Sequence, residues 1–311
     1  MRIKNAFKIL ISNSTVIYKT VFYKLITSSI IILLGYLCVA GDVRPILRSK
    51  EIKDFWDAII ATLTTFINGD GINRELLPQS FDAVLAMLKN NMQDIFLAFL
   101  EVGLFMFLLN LFERIGNYGI GFLTNGFMSS LSKYSLVATL LANFGKAFLY
   151  AIIITPIVMI FDGIVLTLAV LISVYGIKFI SVFAIILSLI FVVVVLSCKY
   201  AILSRFMPAL ITDKKSVGEA FKYCFTKRDK YWTMVGNYAF VIMIAFYLNV
   251  SVAVFTLGAG LIVSLPLSLV FITIVAFVDH YQIEGKKYYV SGEEVVTPRQ
   301  MREHAELLKY M

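Results

Sequence analysis

Histidine, cysteine and charge are scarce in this chain. Its 311 residues hold two histidines and three cysteines. His280 and His304 both fall near the C-terminal end, so no His/Cys cluster has the spacing of a metal site. Cys38, Cys198 and Cys224 are odd in number and scattered, which excludes a disulfide framework. Asp, Glu, Lys and Arg together make 15% of the residues, where about 25% is usual for a soluble domain. No Walker or dinucleotide glycine motif is present, nor a Gly-x-Ser-x-Gly elbow, Ser-x-x-Lys or His-Glu-x-x-His. No nucleophile–base constellation stands out, so no catalytic residue, metal or cofactor is assigned and the sequence leans away from an enzyme.

Long apolar runs are abundant instead. Hydrophobic residues make 59% of the chain and the mean hydropathy is +0.85. A water-soluble domain of this length needs a polar exterior that this composition does not supply. A span needs about 20 apolar residues. Six segments qualify: 21–40, 93–112, 147–174, 177–201, 233–256 and 261–278. The stretches 147–201 and 233–278 are each too long for one span. Breaks are predicted at 173–178 and at Leu257-Gly-Ala-Gly260. The fold class is all-α: a polytopic transmembrane helical bundle of about six spans with interfacial amphipathic helices.

Charge orients it. Residues 1–24 carry Arg2, Lys4, Lys8, Lys19 and Lys24 with no acid. Residues 199–230 carry eight basic side chains against three acids, whereas 41–92 has six basic and seven acidic. The positive-inside rule puts both basic segments in the cytoplasm, giving N-in/C-in in a plasma membrane. The net charge of +8 is absorbed by these loops and does not indicate nucleic acid. Cys38-Val-Ala40 has small residues at signal-peptidase positions, but the long basic start favours an uncleaved anchor.

The expected organisation is a basic cytoplasmic N-terminus (1–20), a six-span domain (21–279) and a cytoplasmic tail (280–311). Within the membrane domain lie an outer helical segment (41–92) and inner amphipathic segments (113–146 and 205–231). In the outer segment, Phe55, Ile59, Ile60, Leu63 and Phe66 recur at helical spacing, and Ser80 is expected to cap a second helix. The glycines at 116, 119, 121 and 126 are expected to let irregular or interfacial helices lie close to the bundle. In the tail, 281–290 reads as a hairpin turning at Glu284-Gly285, and Thr297-Pro-Arg-Gln300 as a capping box.

Two sets of residues are candidates for function. Glu101 and Asp162 lie near the middles of the second and third spans, with Asn110 nearby. An intramembrane carboxylate is expensive, and by default points to an ion relay or polar site. The second set lies in 205–231. Ser216-Val-Gly-Glu219 is a capping box, in which Glu219 reaches back to the start of a basic amphipathic helix. Phe221, Lys222, Lys227, Arg228 and the interfacial Trp232 mark a surface for the lipid bilayer, specifically for anionic lipids at the cytoplasmic face. A protein partner docking on 205–231 or on the tail is the other use of such a surface.

The stretch Met207-Pro-Ala-Leu-Ile-Thr-Asp-Lys-Lys-Ser-Val-Gly-Glu-Ala-Phe-Lys222, with Lys230-Tyr-Trp232 after it, resembles a bacterial six-span family. That family includes the membrane domain of some glycerophosphodiester phosphodiesterases and stand-alone relatives of unknown function. The likeness covers about residues 93–280. The chain departs from it in the outer segment 41–92, in its own tail and in having no phosphodiesterase domain, so hydrolase activity does not carry over. The resemblance implies a helical membrane module in envelope or lipid homeostasis, or in complex assembly. The alternative is a permease subunit working with a separate cytoplasmic ATPase.

Overall fold

The structure is a computed structural model that describes residues 2–68, 73–181, 183–226 and 231–297. The described residues form twelve α-helices and one two-stranded hairpin. Six helical stretches are long and apolar enough to cross a membrane: Thr15–Leu47, Ile95–Ser130, Phe144–Ile180, Phe183–Ile211, Tyr231–Thr256 and Leu261–Ile283. The chain is thus an all-α, multi-pass membrane protein. Several of these helices outrun the spans read from hydropathy, because helical hydrogen bonding continues past the point where the residues turn polar.

Two compact units are formed. The first comprises Met1–Thr27, Leu111–Thr155 and Leu196–Met311. Its central element is α12 (Leu261–Ile283), of whose most apolar window 56% is buried, against 6–22% for the other spans. The other five therefore leave most of their apolar surface to lipid, while α12 is a core helix. It packs against α11 (Tyr231–Thr256), α9 (Phe206–Ile211) and the N-terminal α1 (Arg2–Ser12). The turn between α11 and α12 falls at 257–260 as expected. Leu257 and Gly258 adopt φ of +49° and +88° there, and glycine tolerates that left-handed region.

The helix α1 has no counterpart in the hydropathy reading, because it is too short and too charged to be a span. Its period is helical all the same: Asn5, Ala6, Ile9 and Leu10 are buried, and Lys4 is exposed. Phe7 meets Phe271 of α12 edge-on at 5.9 Å.

In α5 (Met92–Ser130) the glycine-rich stretch is not irregular. The helix runs unbroken to Ser130, and the glycines serve close packing. The ring of Tyr23, from α2 (Thr15–Leu47), covers Gly116, and its hydroxyl donates to the Phe112 carbonyl at 2.8 Å. The short α6 (Leu136–Ala142) lies over Gly119, so that a Cβ there would meet Leu136 Cδ1 at 2.7 Å.

The second unit comprises Ser28–Asn110 and Pro156–Val195. Its segment 41–92 holds a helical pair, α3 (Lys50–Asn68) and α4 (Leu76–Asn90). The pair packs on the turn between α7 (Phe144–Ile180) and α8 (Phe183–Leu203) through Ala58, Leu77, Val174, Ile177 and Ala184. Tyr175 Oη donates to Asp82 at 2.6 Å and Lys178 pairs with Glu75 at 3.1 Å. Ser80 does not cap α4: the helix starts earlier, and Ser80 Oγ donates back to the Leu76 carbonyl. Nor does α4 run on into α5, since Asn91 interrupts it. The break after the third span comes at Ser181 (φ +55°), later than predicted. Gly176 stays inside α7, where a Cβ would lie 2.8 Å from that of Ala184. It is a packing glycine, not a turn glycine.

The tail hairpin is displaced from its expected register. Glu284-Gly285 closes α12: Gly285 takes φ +64° and Lys286 N–H donates to the Tyr281 carbonyl at 2.8 Å, a Schellman-type stop. The strands are β1 (Tyr288–Tyr289) and β2 (Val295–Val296), antiparallel. The Thr297–Gln300 capping box lies outside the described residues, apart from Thr297 itself. Asn5 Nδ2 donates to Tyr288 Oη at 2.8 Å, and Lys8 pairs with Glu294. The N-terminal helix and the C-terminal hairpin therefore lie on the same side.

In a chain without its native cysteines, Lys214→Cys and Leu257→Cys are expected to react with a membrane-impermeant maleimide from opposite sides. They flank α11, whose 26 residues measure about 39 Å at the helical rise. Labelling of both from one side would exclude the assignment of α11 as a span.

Candidate functional site

The helix α10 (Val217–Thr226) begins with the reciprocal cap that its sequence encodes. The Ser216 amide and hydroxyl donate to Glu219 Oε2 at 3.0 and 2.8 Å, and the Glu219 amide reaches Ser216 Oγ at 3.4 Å. The hydroxyl and then the amide of Ser216 hold the Glu219 carboxyl below its ordinary value. Ala220 and Cys224 are buried on one face. Burial pushes the Cys224 thiol up to about 12, against the pull of Arg205, so it is inert at neutral pH. Phe221 packs edge-on against Phe206 at 5.6 Å and Phe225 at 5.3 Å. Lys222 and Phe225 face outward, and Trp232, at the start of α11, is 76% exposed. Lys227 and Arg228 lie outside the described residues.

The intramembrane candidates lie on two helices, α5 and α7. Glu101 is half-buried on α5, and its Oε2 is buried without a hydrogen-bond partner. Asp162 is half-buried on α7, and no hydrogen bond between the two carboxyls occurs among the described residues. Asn110 Nδ2 donates to its own helix, at the Met106 carbonyl, 2.9 Å. Asn249, also in a span, bridges α11 and α12 by donating to Ser268 Oγ at 3.0 Å.

A denser polar cluster forms where sequence reading expected tail. Residues 279–282 (Asp-His-Tyr-Gln) extend α12 and are packed by α1, the loop before α10 and the hairpin. Asp279 is fully buried, and Arg2 Nη1 contacts its Oδ1 at 2.8 Å. Arg2 Nε donates to Gln282 Oε1 at 3.1 Å, and Gln282 Nε2 donates to Tyr288 Oη at 2.7 Å. The second Asp279 oxygen has no hydrogen-bond partner; Arg205 and Asn237 stand near this carboxylate.

One residue along, His280 is buried instead of solvated. Its Nε2 lies 3.2 Å from Asp213 Oδ1, the oxygen that Lys286 also approaches. Lys215 is 3.4 Å from the other Asp213 oxygen and stands 3.6 Å above the Tyr223 ring. Burial alone would raise the Asp213 carboxyl. Hydrogen bonds from His280 and Lys286, with the electrostatic pull of the two side chains, outweigh it and hold the group well below the carboxylate range. Tyr223 hydrogen-bonds Glu284, and its hydroxyl is pushed up by burial and then by that carboxylate. Tyr281 Oη and Thr212 Oγ1 both donate to Asn125 Oδ1, at 2.9 and 2.7 Å.

Chemically this is a clamp. Opposite charges and donor–acceptor pairs face one another, and they fix α1, α10 and the hairpin to the end of α12. Among the described residues, no group of three His, Cys, Asp or Glu side chains is placed to hold a metal. The signal available in sequence was the run of side chains after the sixth span, where a buried helix turn and a solvated tail have the same low hydropathy. Compared with known proteins, the chain matches no family model, no curated protein and no solved structure.

Two substitutions test the clamp. Arg2→Ala leaves a buried carboxylate without its cation and is expected to cost about 3–5 kcal/mol. Hydrogen exchange is expected to accelerate across residues 2–12 and 279–290, whereas an exchange pattern like the wild type's would refute the clamp. Asp213→Asn is expected to lower stability by about 1–3 kcal/mol at neutral pH. Because the folded carboxyl is depressed, its contribution is full above the unfolded value of about 3.9 and lost as pH falls below it. Thermal unfolding of variant and wild type should therefore converge at strongly acid pH and separate above about pH 4.

Proposed function

We propose that the chain is a non-enzymatic module of the bacterial plasma membrane, acting in envelope or lipid homeostasis or in the assembly of a complex, and that α10 is its working surface. The observation that carries this reading is the way α10 is held. Its inner face is locked by Phe221 on Phe206 and by buried Ala220 and Cys224. The Asp213 node stands at its start and Tyr223–Glu284 along its length. The outward face combines Lys222 with exposed Phe225, and Trp232 follows.

Physically, a fixed helix with a basic and aromatic outer face matches an anionic membrane surface. Each Lys or Arg near such a leaflet gains about 1 kcal/mol, and the aromatic rings favour the headgroup level. The positive excess of 199–230 supports the cytoplasmic leaflet as the surface in question. The resemblance of 207–232 to the membrane domain attached to some glycerophosphodiester phosphodiesterases supports a link to lipid or envelope handling.

A bimane label at Phe225→Cys, in the full chain without its other cysteines, reports this directly in nanodiscs. The emission is expected to shift to the blue and to resist aqueous iodide, more strongly when the disc contains anionic phospholipid. A label equally open to iodide in both lipids refutes the lipid-facing role. A stoichiometric ATPase subunit that co-purifies with the native chain, and is lost on Phe225→Glu, would replace it with the permease reading.

A further inference from the structure

Two cavities in the second unit meet at the junction of α4 and α5, and they differ in chemistry. One, of about 440 Å³, is lined by Leu88, Lys89, Met92, Ile95, Phe96 and Phe99. Apart from Lys89 its walls are apolar. Met92, Phe96 and Phe99 are each more than 60% exposed, so it is an open groove and not a sealed void. The other, of about 500 Å³, has Asp42, Ser49, Glu51 and Asn91 among its lining residues, and no basic side chain lines it. Ile95 lines both, and Met87 of the same α4 turn as Leu88 and Lys89 lines the polar one.

The polar cavity is rich in acceptors. No ion pair joins Asp42 or Glu51 to a cation among the described residues. Ser49 Oγ is buried without a hydrogen-bond partner. Asn91 Nδ2 donates one of its two N–H groups to the Met87 carbonyl at 2.9 Å, and its amide oxygen can accept from a ligand. Two carboxylates, an amide oxygen and a hydroxyl suit a primary ammonium group, which carries three donors and no acceptor. They repel an anionic headgroup. The site also lies at the correct depth: residues 41–46 are the last turns of the first span, and Ile95 opens the second. Span ends are where lipid headgroups sit.

We infer that this pair of cavities binds one phospholipid with a primary ammonium headgroup, its ammonium among Asp42, Glu51, Ser49 and Asn91 and its acyl chain in the groove beside Phe96 and Phe99. Lys89, at the boundary, neutralises the phosphate. The charges match in order: acceptors for the ammonium, a cation for the phosphate, then aromatic and aliphatic walls for the chain. The inference rests on the proposed function only in taking the chain as a lipid-embedded module. It adds a ligand class.

The full chain in nanodiscs of equimolar phosphatidylethanolamine and phosphatidylglycerol provides the test, with retained lipid read by native mass spectrometry. Phosphatidylethanolamine is expected to be retained in excess. The near-isosteric double variant Asp42→Asn/Glu51→Gln is expected to reduce that excess about tenfold, the scale of a lost charge-assisted hydrogen bond. Met92→Trp, at an exposed groove position, is expected to lower the retention of both lipids. Equal retention of the two lipids by the wild type, or an excess that survives the double variant, overturns the inference. So does displacement of the lipid by soluble ethanolamine, which would assign the cavity to a free amine. None of these outcomes bears on α10, whose role is read from the label at position 225.

Discussion

A salt bridge between the second residue and the end of the last span holds the first unit together. Arg2 reaches Asp279, which has no contact with solvent, and the neighbouring amides and phenols complete the linkage to the hairpin. A buried carboxylate is tolerable only with a partner. The presence of Asp279 in the core thus requires α1 to dock, and the docking of α1 buries Ile9 and Leu10. Residues almost 280 positions apart in sequence become a single structural element. Because polar groups in this cluster constrain direction as well as distance, they fix which turn of α12 receives α1 in a way that greasy contacts alone would not.

The rest of the first unit is arranged around the same helix end. Asp213, one residue before the exposed Lys214, is drawn to His280 and Lys286, and this fixes the start of α10. The amphipathic helix therefore does not depend on lipid to hold its place. Its cap, its phenylalanine contacts and its tyrosine all come from protein. Its exposed side carries Lys222 and Phe225. The second unit uses a different means. There the helical pair α3–α4 is seated on the α7–α8 turn by an apolar cluster, with Tyr175–Asp82 and Lys178–Glu75 at its margin.

The intramembrane carboxylates occupy an intermediate position. Glu101 and Asp162 were conspicuous because charge within a span is costly. The cost is a property of each residue alone, so sequence reveals it. Whether two such residues meet depends on the rotation of each helix about its axis, which hydropathy does not encode. The tail histidine is the converse case. His280 had no conspicuous context in sequence, yet it is among the more buried polar residues of the chain.

The sequence by itself determined the solvent, the six spans, the turn at 257–260 and the cap at Ser216–Glu219. Each of these follows from local composition or spacing within a few residues: apolar length against bilayer thickness, glycine at positive φ, a serine three residues before a glutamate. Tertiary structure alone decided that α5 runs straight through its glycines, that Gly176 packs instead of turning, and that α12 continues into Asp279 and His280. It also decided that Arg2, Asp213 and Tyr288 converge on that helix end. The reason is physical. Glycine, aspartate and histidine have the same hydropathy in a loop as in a packed core, and only the partner that a fold brings within about 3 Å tells the two apart.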